Sequence, residues 1–150
     1  NVTRKAFAEA LKAIPEAKVS FDEQMSRSEY LALLADTQIS VACYGAGFHS
    51  YRYWEIPYYG ALLLTQPSPL LIPHNFRQRK HMLFFTTPDD LVETARWAID
   101  HPVESSEMAH AATLHLLQYH LTIHRAQWLT QVMEAHCLQQ TARQLLRFPF

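Results

Sequence analysis

Glycine and cysteine are both scarce in this chain, and each shortage excludes a class of protein. Of 150 residues, three are glycine and two are cysteine. So little glycine excludes glycine-rich repeats, and the sequence has no internal repeat and no low-complexity tract. The two cysteines, Cys43 and Cys137, lie far apart in sequence, which does not fit the dense framework of a small disulfide-rich secreted domain. We expect both thiols to be buried and reduced, and the compartment to be cytoplasmic.

The chain also lacks an excess of charge and a long apolar run. Its formal net charge is -1, which gives no broad surface for nucleic acid or an anionic membrane, so any phosphate site must be local. No apolar stretch reaches the roughly 18 residues of a transmembrane helix, and the first residues lack the charged segment and small-residue cleavage site of a signal peptide, so we expect a soluble protein. Because 49% of its residues are hydrophobic, the chain can form a sizeable core. We therefore expect residues 1–150 to form one globular domain. Because helical periodicity already begins at Val2, we expect a fragment of a longer protein.

Apolar periodicity alternates between the helical and the strand type along the first two thirds of the chain. A helix ends before Pro15, a short strand covers Ala17–Phe21, and Ser26 or Ser28 caps a helix that runs to Leu34. Continuous apolar runs then predict three buried strands, and two helices are placed between and after them: strands Ile39–Tyr44, Ala61–Thr65 and Met82–Thr86, helices Ser50–Tyr59 and Pro88–Ile99. The pattern predicts an α/β, Rossmann-like open parallel sheet of about four strands with helices on both faces.

The last third of the chain is predicted to be a long helical tail. Residues from Ser105 to about Leu146 include neither glycine nor proline, which favours one long helix or two consecutive helices. A stripe at helical spacing is expected to pack on the sheet or on an absent domain, and it consists of Leu114, Leu117, Leu121, His124 and Trp128.

All three glycines fall between Tyr44 and Gln66. Gly45 and Gly47 come directly after a predicted buried strand and before a helix, where glycine lets the backbone turn sharply and approach a phosphate. His49, Ser50 and Arg52 lie in the same turn, and the imidazole of His49 can donate to a phosphate oxygen. An ordinary turn with an exposed histidine fits the same residues, since a Gly-x-Gly pattern alone is not specific.

Glu55 lies among aromatic and apolar residues, where a carboxylate needs a partner. One interpretation is that it accepts hydrogen bonds from the two hydroxyls of a ribose. The other is an ion pair with Arg52, three residues earlier on the same helical face. The residues alone leave both open.

Two groups of basic or histidine side chains invite further hypotheses. His120 and His124 are four residues apart and His110 lies near the same face, but no acid lies among them, so no metal site is predicted. A short basic cluster precedes the last strand, Arg77, Arg79, Lys80 and His81. It fits a solvated loop, or the acceptor side of a cleft.

Three segments of the chain resemble a known family. The segment that begins at Arg52, RYWEIPYYGALLLTQ, contains an arginine, a glutamate and a glycine–alanine pair before an apolar strand. In this it resembles an element in the C-terminal domain of GT-B-fold glycosyltransferases, in particular the family-1-like group that includes spore-maturation-type proteins. HNFRQRKHMLFFTTPDDLVETARWAID is similar to the last strand and helix of that domain, and YHLTIHRAQWLTQVM to its closing helix. The resemblance covers about Ser26 to Glu134.

The resemblance implies that the chain is the donor-binding half of a glycosyltransferase. A nucleoside-diphosphate sugar would be held at the carboxyl ends of the strands as a substrate, with no permanently bound cofactor or metal. The implied donor site comprises the glycine turn beside the diphosphate and a glutamate on the ribose: Gly45, Gly47, His49, Ser50, Arg52 and Glu55. The implied partner is an N-terminal acceptor domain of the same enzyme, and neither nucleic acid nor a transmembrane segment is implied.

Two departures from the family pattern limit what the resemblance implies. The family's earlier acid is missing, since its place is taken by Ala46-Gly47-Phe48, and the anomeric outcome is therefore open. The upstream diphosphate cation is not assigned, because Arg4 and Lys5 lie too near the first residue. No catalytic residue is assigned either, and the isolated chain is expected to be inactive, with its general base in the absent domain. The alternative is a non-catalytic α/β interaction or regulatory module without a donor site.

Overall fold

The structure, a computed structural model, describes the chain except residues 1, 16, 18, 20–24, 46, 49 and 146–150. Its described part contains a three-stranded parallel sheet in the order β1-β2-β3, with β1 Ile39–Ala42, β2 Leu62–Thr65 and β3 Met82–Phe84. Ile39 pairs with Leu62, and Leu63 pairs with Met82. The α/β, Rossmann-like open parallel sheet is confirmed, and most of the predicted first strand, Ala17–Phe21, lies outside the described residues.

Six helices accompany the sheet in the described part of the chain. They are α1 Val2–Leu11, α2 Arg27–Ala35, α3 Arg52–Tyr58, α4 Pro88–Asp100, α5 Pro102–Tyr119 and α6 Thr122–Leu145. The chain divides into two compact units, Asn1–Leu116 and Leu117–Phe150. The sheet and the first four helices belong to the first unit. No helix among the described residues is long and apolar enough to cross a membrane.

The core of the first unit is built around β2, whose four residues are all buried. Side chains alternate between the two faces of a strand. Leu62 and Leu64 pack in one apolar cluster with residues of α1, α4 and α5, in which the rings of Phe7 and Phe85 meet edge to face at 5.1 Å. Tyr53 and Ile56 of α3 are buried outside that cluster, on the face to which Leu63 points. Helices therefore cover both faces, as predicted.

Local signals set the ends of the helices that flank the candidate site. Ser26 and Glu29 form a reciprocal capping box, which fixes the first residue of α2 at Arg27. Thr87 caps α4 by accepting from Asp90 N at 3.1 Å. After α3, Gly60 has a φ of 83° and the N–H of Ala61 reaches back to Ile56 O at 3.2 Å. This is a Schellman motif, so Gly60 ends the helix.

The predicted apolar stripe of the helical tail does not form one buried face. The tail is two consecutive helices, since α5 ends at Tyr119 and α6 begins at Thr122. Leu114, Leu117 and Trp128 are all exposed. The buried face of α5 consists instead of Ser105, Met108, Ala109, Ala112 and Leu116. Cys43 is half-buried but Cys137 is exposed, so the expectation that both thiols are buried is wrong for Cys137.

Candidate functional site

The carboxyl ends of the three parallel strands lie at one edge of the sheet, where ligands of open α/β sheets bind. Two hydrogen bonds connect the segments that leave β1 and β2 at this edge. Tyr44 N donates to Gln66 Oε1 at 2.9 Å, and the Tyr44 hydroxyl donates to the carbonyl of Pro67. The start of the glycine turn is therefore fixed to the end of β2.

The glycine turn is closed within itself, because Gly45 N donates to Gly47 O at 3.2 Å. Gly47 is exposed and its φ is not positive, and a Cβ added there would have no atom of the described residues within 4 Å apart from its chain neighbours. The backbone of Gly47 thus does not itself require glycine, and no described residue beyond its chain neighbours fills the space beside it. Ser50 is half-buried at the end of the turn. His49, which the sequence places in the donor site, lies outside the described residues.

Glu55 lies in the first turn of α3 with its side chain only 15% exposed. Its Oε1 accepts a hydrogen bond from Nη2 of Arg27, the first residue of α2, at 2.7 Å. Arg52 does not fill this role, because its guanidinium lies over the ring of Tyr30, 5.5 Å from the centroid. Glu55 therefore does form an ion pair, as one of the two interpretations predicts, but its partner is Arg27 and the predicted partner, Arg52, is wrong.

Tyr30, the fourth residue of α2, lies beside these charged groups. Its hydroxyl is buried and has no hydrogen-bond partner of ordinary geometry within the described part of the chain. Burial raises the pKa of Tyr30, the negative charge of Glu55 raises it further, and the Arg52 guanidinium opposes this. The phenol therefore stays protonated at neutral pH beside Glu55 and Arg52.

A second cluster anchors the loop after β2 to α3. The hydroxyl of buried Tyr53 donates to Asn75 Oδ1 at 2.7 Å, and Phe76 N donates to the same oxygen at 2.8 Å. Burial raises the pKa of Tyr53 to about 12, which keeps this donor protonated. The ring of Trp54 packs against that of Phe76, with centroids 5.7 Å apart. Residues 75 and 76 are thus held beside the first turn of α3.

His81 is a buried, neutral member of the same loop. Its Nδ1 accepts from Arg77 N at 3.2 Å, so the proton of the neutral ring is on Nε2. Its ring stacks on His115 with centroids 4.3 Å apart, and His115 Nε2 donates to the carbonyl of His74 at 2.6 Å. Burial, and then the neighbouring charge of His115, lowers the pKa of His81 to about 4.

The basic cluster of this loop is not part of the edge that carries the glycine turn. Arg77, Arg79, Lys80 and His81 come directly before Met82, at the amino end of β3, which is the opposite end of a parallel strand from the turn. The Arg79 guanidinium lies 5.5 Å from the ring centroid of Trp97. The position does not support the interpretation that the cluster lines the acceptor side of the same cleft.

His120 and His124 of the helical tail differ in their hydrogen bonds. His120 Nδ1 and Arg125 Nη2 are 2.7 Å apart, and the buried Nδ1 of His124 has no hydrogen-bond partner among the described residues. Over the same residues, no group of three or more histidine, cysteine, aspartate or glutamate side chains is arranged to hold a metal ion.

Comparison with known proteins identifies the family to which this chain belongs. The sequence model of a protein family described as glycosyl transferase-like matches residues 4–131. This is well over half of the chain, and the match includes the whole sheet, the glycine turn and Glu55. The chain belongs to the glycosyl transferase-like family. No curated protein and no solved structure gave a match. For this glycosyl transferase-like protein, the family supports glycosyl transfer as the function.

Two residues of the candidate site were missed by the sequence analysis, Arg27 and Tyr30. The Ser26-x-x-Glu29 capping box does predict that Arg27 begins a helix. Nothing in the sequence connects that residue to Glu55, which is 28 residues later. The contact depends on how α2 and α3 pack, and only the tertiary structure of the glycosyl transferase-like domain brings them together.

Proposed function

We propose that this chain is the donor-binding, C-terminal half of a GT-B-fold glycosyltransferase of the family-1-like, spore-maturation-type group. In this proposal it holds a nucleoside-diphosphate sugar at the carboxyl edge of its sheet. The observation that carries the proposal is the placement of Glu55, a half-buried carboxylate in the first turn of α3 and within the matched region. Its carboxylate would accept hydrogen bonds from the ribose hydroxyls.

The surroundings of Glu55 suit a neutral diol. Arg27 already compensates its charge at 2.7 Å, so a sugar with no charge can bind without a further cation. A charge-assisted hydrogen bond from a hydroxyl is stronger than a neutral one, particularly where water is partly excluded. Glu55 therefore has the chemistry and the burial that recognition of a ribose requires.

The glycine turn would receive the diphosphate. The open space beside Gly47 permits close approach of a ligand to the backbone, and Arg52 supplies an exposed cation at the start of α3. His49, Ser50 and Gly45 complete the proposed donor site. During transfer these groups would stabilise the charge that develops on the leaving diphosphate. The general base would come from an N-terminal acceptor domain, so no catalytic residue is assigned in this chain.

Nucleotide binding is tested first with a thermal-shift panel of UDP, GDP, ADP and TDP. A ligand that binds only the folded state raises its stability by RT ln(1 + [L]/Kd), which is about 2.7 kcal/mol at a hundredfold excess over Kd. We expect at least one ribonucleotide to raise the Tm more than TDP, which lacks the 2′-hydroxyl. Absence of any shift at millimolar nucleotide would contradict the proposal.

Glu55→Gln is the decisive variant, because the amide keeps the shape of the side chain but loses its charge. We expect it to weaken binding of the best ribonucleotide by about 1.5–3 kcal/mol in calorimetric titration. Unfolding free energy should change by less than about 1 kcal/mol, since Arg27 is 69% exposed. The matched control is Glu9→Gln, which breaks the exposed Lys12–Glu9 pair of α1 and should leave affinity unchanged. An unchanged dissociation constant for Glu55→Gln would favour a non-catalytic α/β module.

A further inference from the structure

The local structure at the start of α2 sets the backbone position of Arg27. Glu29 N donates to Ser26 Oγ at 3.3 Å, and Ser26 N donates to Glu29 Oε2 at 2.9 Å. This reciprocal pair determines where the helix begins and hence where Arg27 projects from it. Arg27 then reaches across to α3 and donates to one oxygen of Glu55, Oε1, at 2.7 Å.

A second contact between α2 and α3 is made by Tyr30, three residues after Arg27. At this spacing Tyr30 shares the helical face of Arg27. The centroid of its ring lies 5.5 Å from the guanidinium carbon of Arg52. The first turn of α2 thus contacts both charged residues in the first turn of α3, Glu55 through Arg27 and Arg52 through Tyr30. This arrangement restricts both side chains before any ligand binds.

We propose that Arg27 is a positioning residue for donor recognition, which holds the Glu55 carboxylate by Oε1 so that Oε2 is presented to the ribose diol. The inference rests on the proposed function and assigns to it a specificity determinant, the preference for nucleotides that carry both ribose hydroxyls. Arg27 acts through Glu55 and need not touch the ligand.

The physical reason is preorganisation. A glutamate side chain has several rotamers, and fixing it on binding costs free energy that a prior contact removes. The bond to Oε1 fixes the rotamer, and it compensates the charge of a carboxylate that is only 15% exposed. Without Arg27 the carboxylate would turn toward water, because an uncompensated charge is disfavoured in a half-buried position. Ribose recognition would then weaken although Glu55 is still present.

The test compares Arg27→Met, which keeps an unbranched apolar stem but removes the charge, with Arg27→Lys, which keeps the charge. Each is titrated with the best ribonucleoside diphosphate of the panel and with its 2′,3′-dideoxy analogue. We expect Arg27→Met to weaken ribonucleotide binding about fivefold to tenfold and to leave the dideoxy analogue unaffected. Arg27→Lys should retain most of the preference. Lys12→Met, which removes the exposed cation of the Lys12–Glu9 pair, should change neither affinity.

Several results would overturn the inference. Equal losses for both ligands in Arg27→Met would mean a general structural role, and an unchanged preference for the diol would mean no role. A gain in ribonucleotide affinity would mean that Arg27 competes with the ligand. Failure of the proposed function is distinguishable, because then wild type binds no nucleotide or Glu55→Gln binds like wild type. If wild type binds and Glu55→Gln weakens binding, a normal Arg27→Met overturns the positioning role alone.

Discussion

Glu55 carries its negative charge in a half-buried position, and the neighbouring side chains compensate for the loss of water. Arg27 supplies a positive charge at 2.7 Å, but its own side chain is 69% exposed. Exposed partners of this kind contribute only about 0–1 kcal/mol to folding. The effect of the pair is therefore expected in ligand binding more than in stability.

Gly47 and Gly60 differ in what the backbone requires of them. Gly47 has open space around it and no positive φ, whereas Gly60 has a φ of 83°. We predict that Gly47→Ala leaves stability unchanged or raises it by up to about 1 kcal/mol, because alanine restricts the unfolded chain. The same change should weaken nucleotide binding, since the methyl group occupies the space proposed for the diphosphate. Thermal denaturation and calorimetric titration measure the two effects.

Gly60→Ala is the control, with the opposite expected outcome. Alanine in the left-handed region costs about 1–2 kcal/mol, so stability should fall while affinity, measured well below the Tm, stays at the wild-type value. Normal nucleotide affinity in Gly47→Ala would show that the ligand does not approach this part of the turn.

His81 should make stability depend on pH. Its folded pKa of about 4 is below the ordinary value of 6.5, so the folded state binds fewer protons than the unfolded state between these values. The free energy of unfolding should therefore fall as the pH drops from 6.5 to 4, by on the order of 2–3 kcal/mol from this residue. Urea denaturation at a series of pH values measures the slope.

His81→Asn separates this contribution from those of the carboxylates. The asparagine oxygen can replace Nδ1 as acceptor for Arg77 N but does not titrate. We expect lower stability than wild type at pH 7, because the stacking on His115 is lost, and a flatter dependence between pH 6.5 and 4. His110→Asn, at an exposed position of α5, should keep the wild-type slope. An identical slope in His81→Asn would refute the assignment.

At the scale of elements, the sequence predicts well those features that depend on short-range pattern. The three strands begin where the continuous apolar runs predict or one residue later, and α4 begins at the predicted Pro88. A buried parallel strand is apolar on both faces, so a continuous apolar run in the sequence indicates such a strand whatever packs against it. The position of Glu55 on a helix is also confirmed, and it too follows from short-range sequence pattern. The partner of Glu55 is not predicted, because Arg27 lies 28 residues earlier in the sequence and meets Glu55 only in the folded chain.

The helical tail shows why a periodic stripe is not proof of burial. The predicted stripe crosses the break between Tyr119 and Thr122, where the helical phase is interrupted. On α5, the buried face is formed largely by small residues such as Ala109 and Ala112, which have weak hydrophobic signals but permit close packing. The larger Leu114 and Leu117 are exposed. The spacing of the large apolar residues therefore predicts the wrong buried face for α5.

The cap of α4 gives a prediction at the same scale. Thr87 is the N-cap and accepts from Asp90 N, and Asp90 Oδ2 accepts from Thr86 N at 2.7 Å. Thr87→Ala should lower the unfolding free energy by about 1 kcal/mol, because a helix N–H loses its acceptor. Thr94→Ala, the same substitution inside α4, should be neutral or slightly stabilising, since alanine is the better helix former. Urea denaturation compares them, and equal effects would mean that the cap is unimportant.

At the scale of the whole molecule, charge does little to guide a ligand. A formal net charge of -1 produces no long-range attraction for an anionic nucleotide, so its affinity must come from contacts within the site. We therefore predict that nucleotide affinity, measured by titration at 50 and 300 mM salt, falls only modestly, because a short-range site loses little to screening. A steep fall would point to a positively charged surface that contributes beyond the proposed donor site.

Four exposed apolar side chains lie close together in sequence on α6 in the second unit, and they give the last prediction. Trp128, Leu129, Val132 and Met133 are all exposed at helical spacing. Because such a patch favours association, we expect wild type to form larger species as concentration rises in sedimentation velocity. The double variant Leu129→Glu, Met133→Lys should remain monomeric, since it disrupts the patch while adding a stabilising pair four residues apart. Leu71→Glu, at the fully exposed Leu71 of the first unit, should associate like wild type. A wild type that is monomeric at every concentration would contradict this prediction.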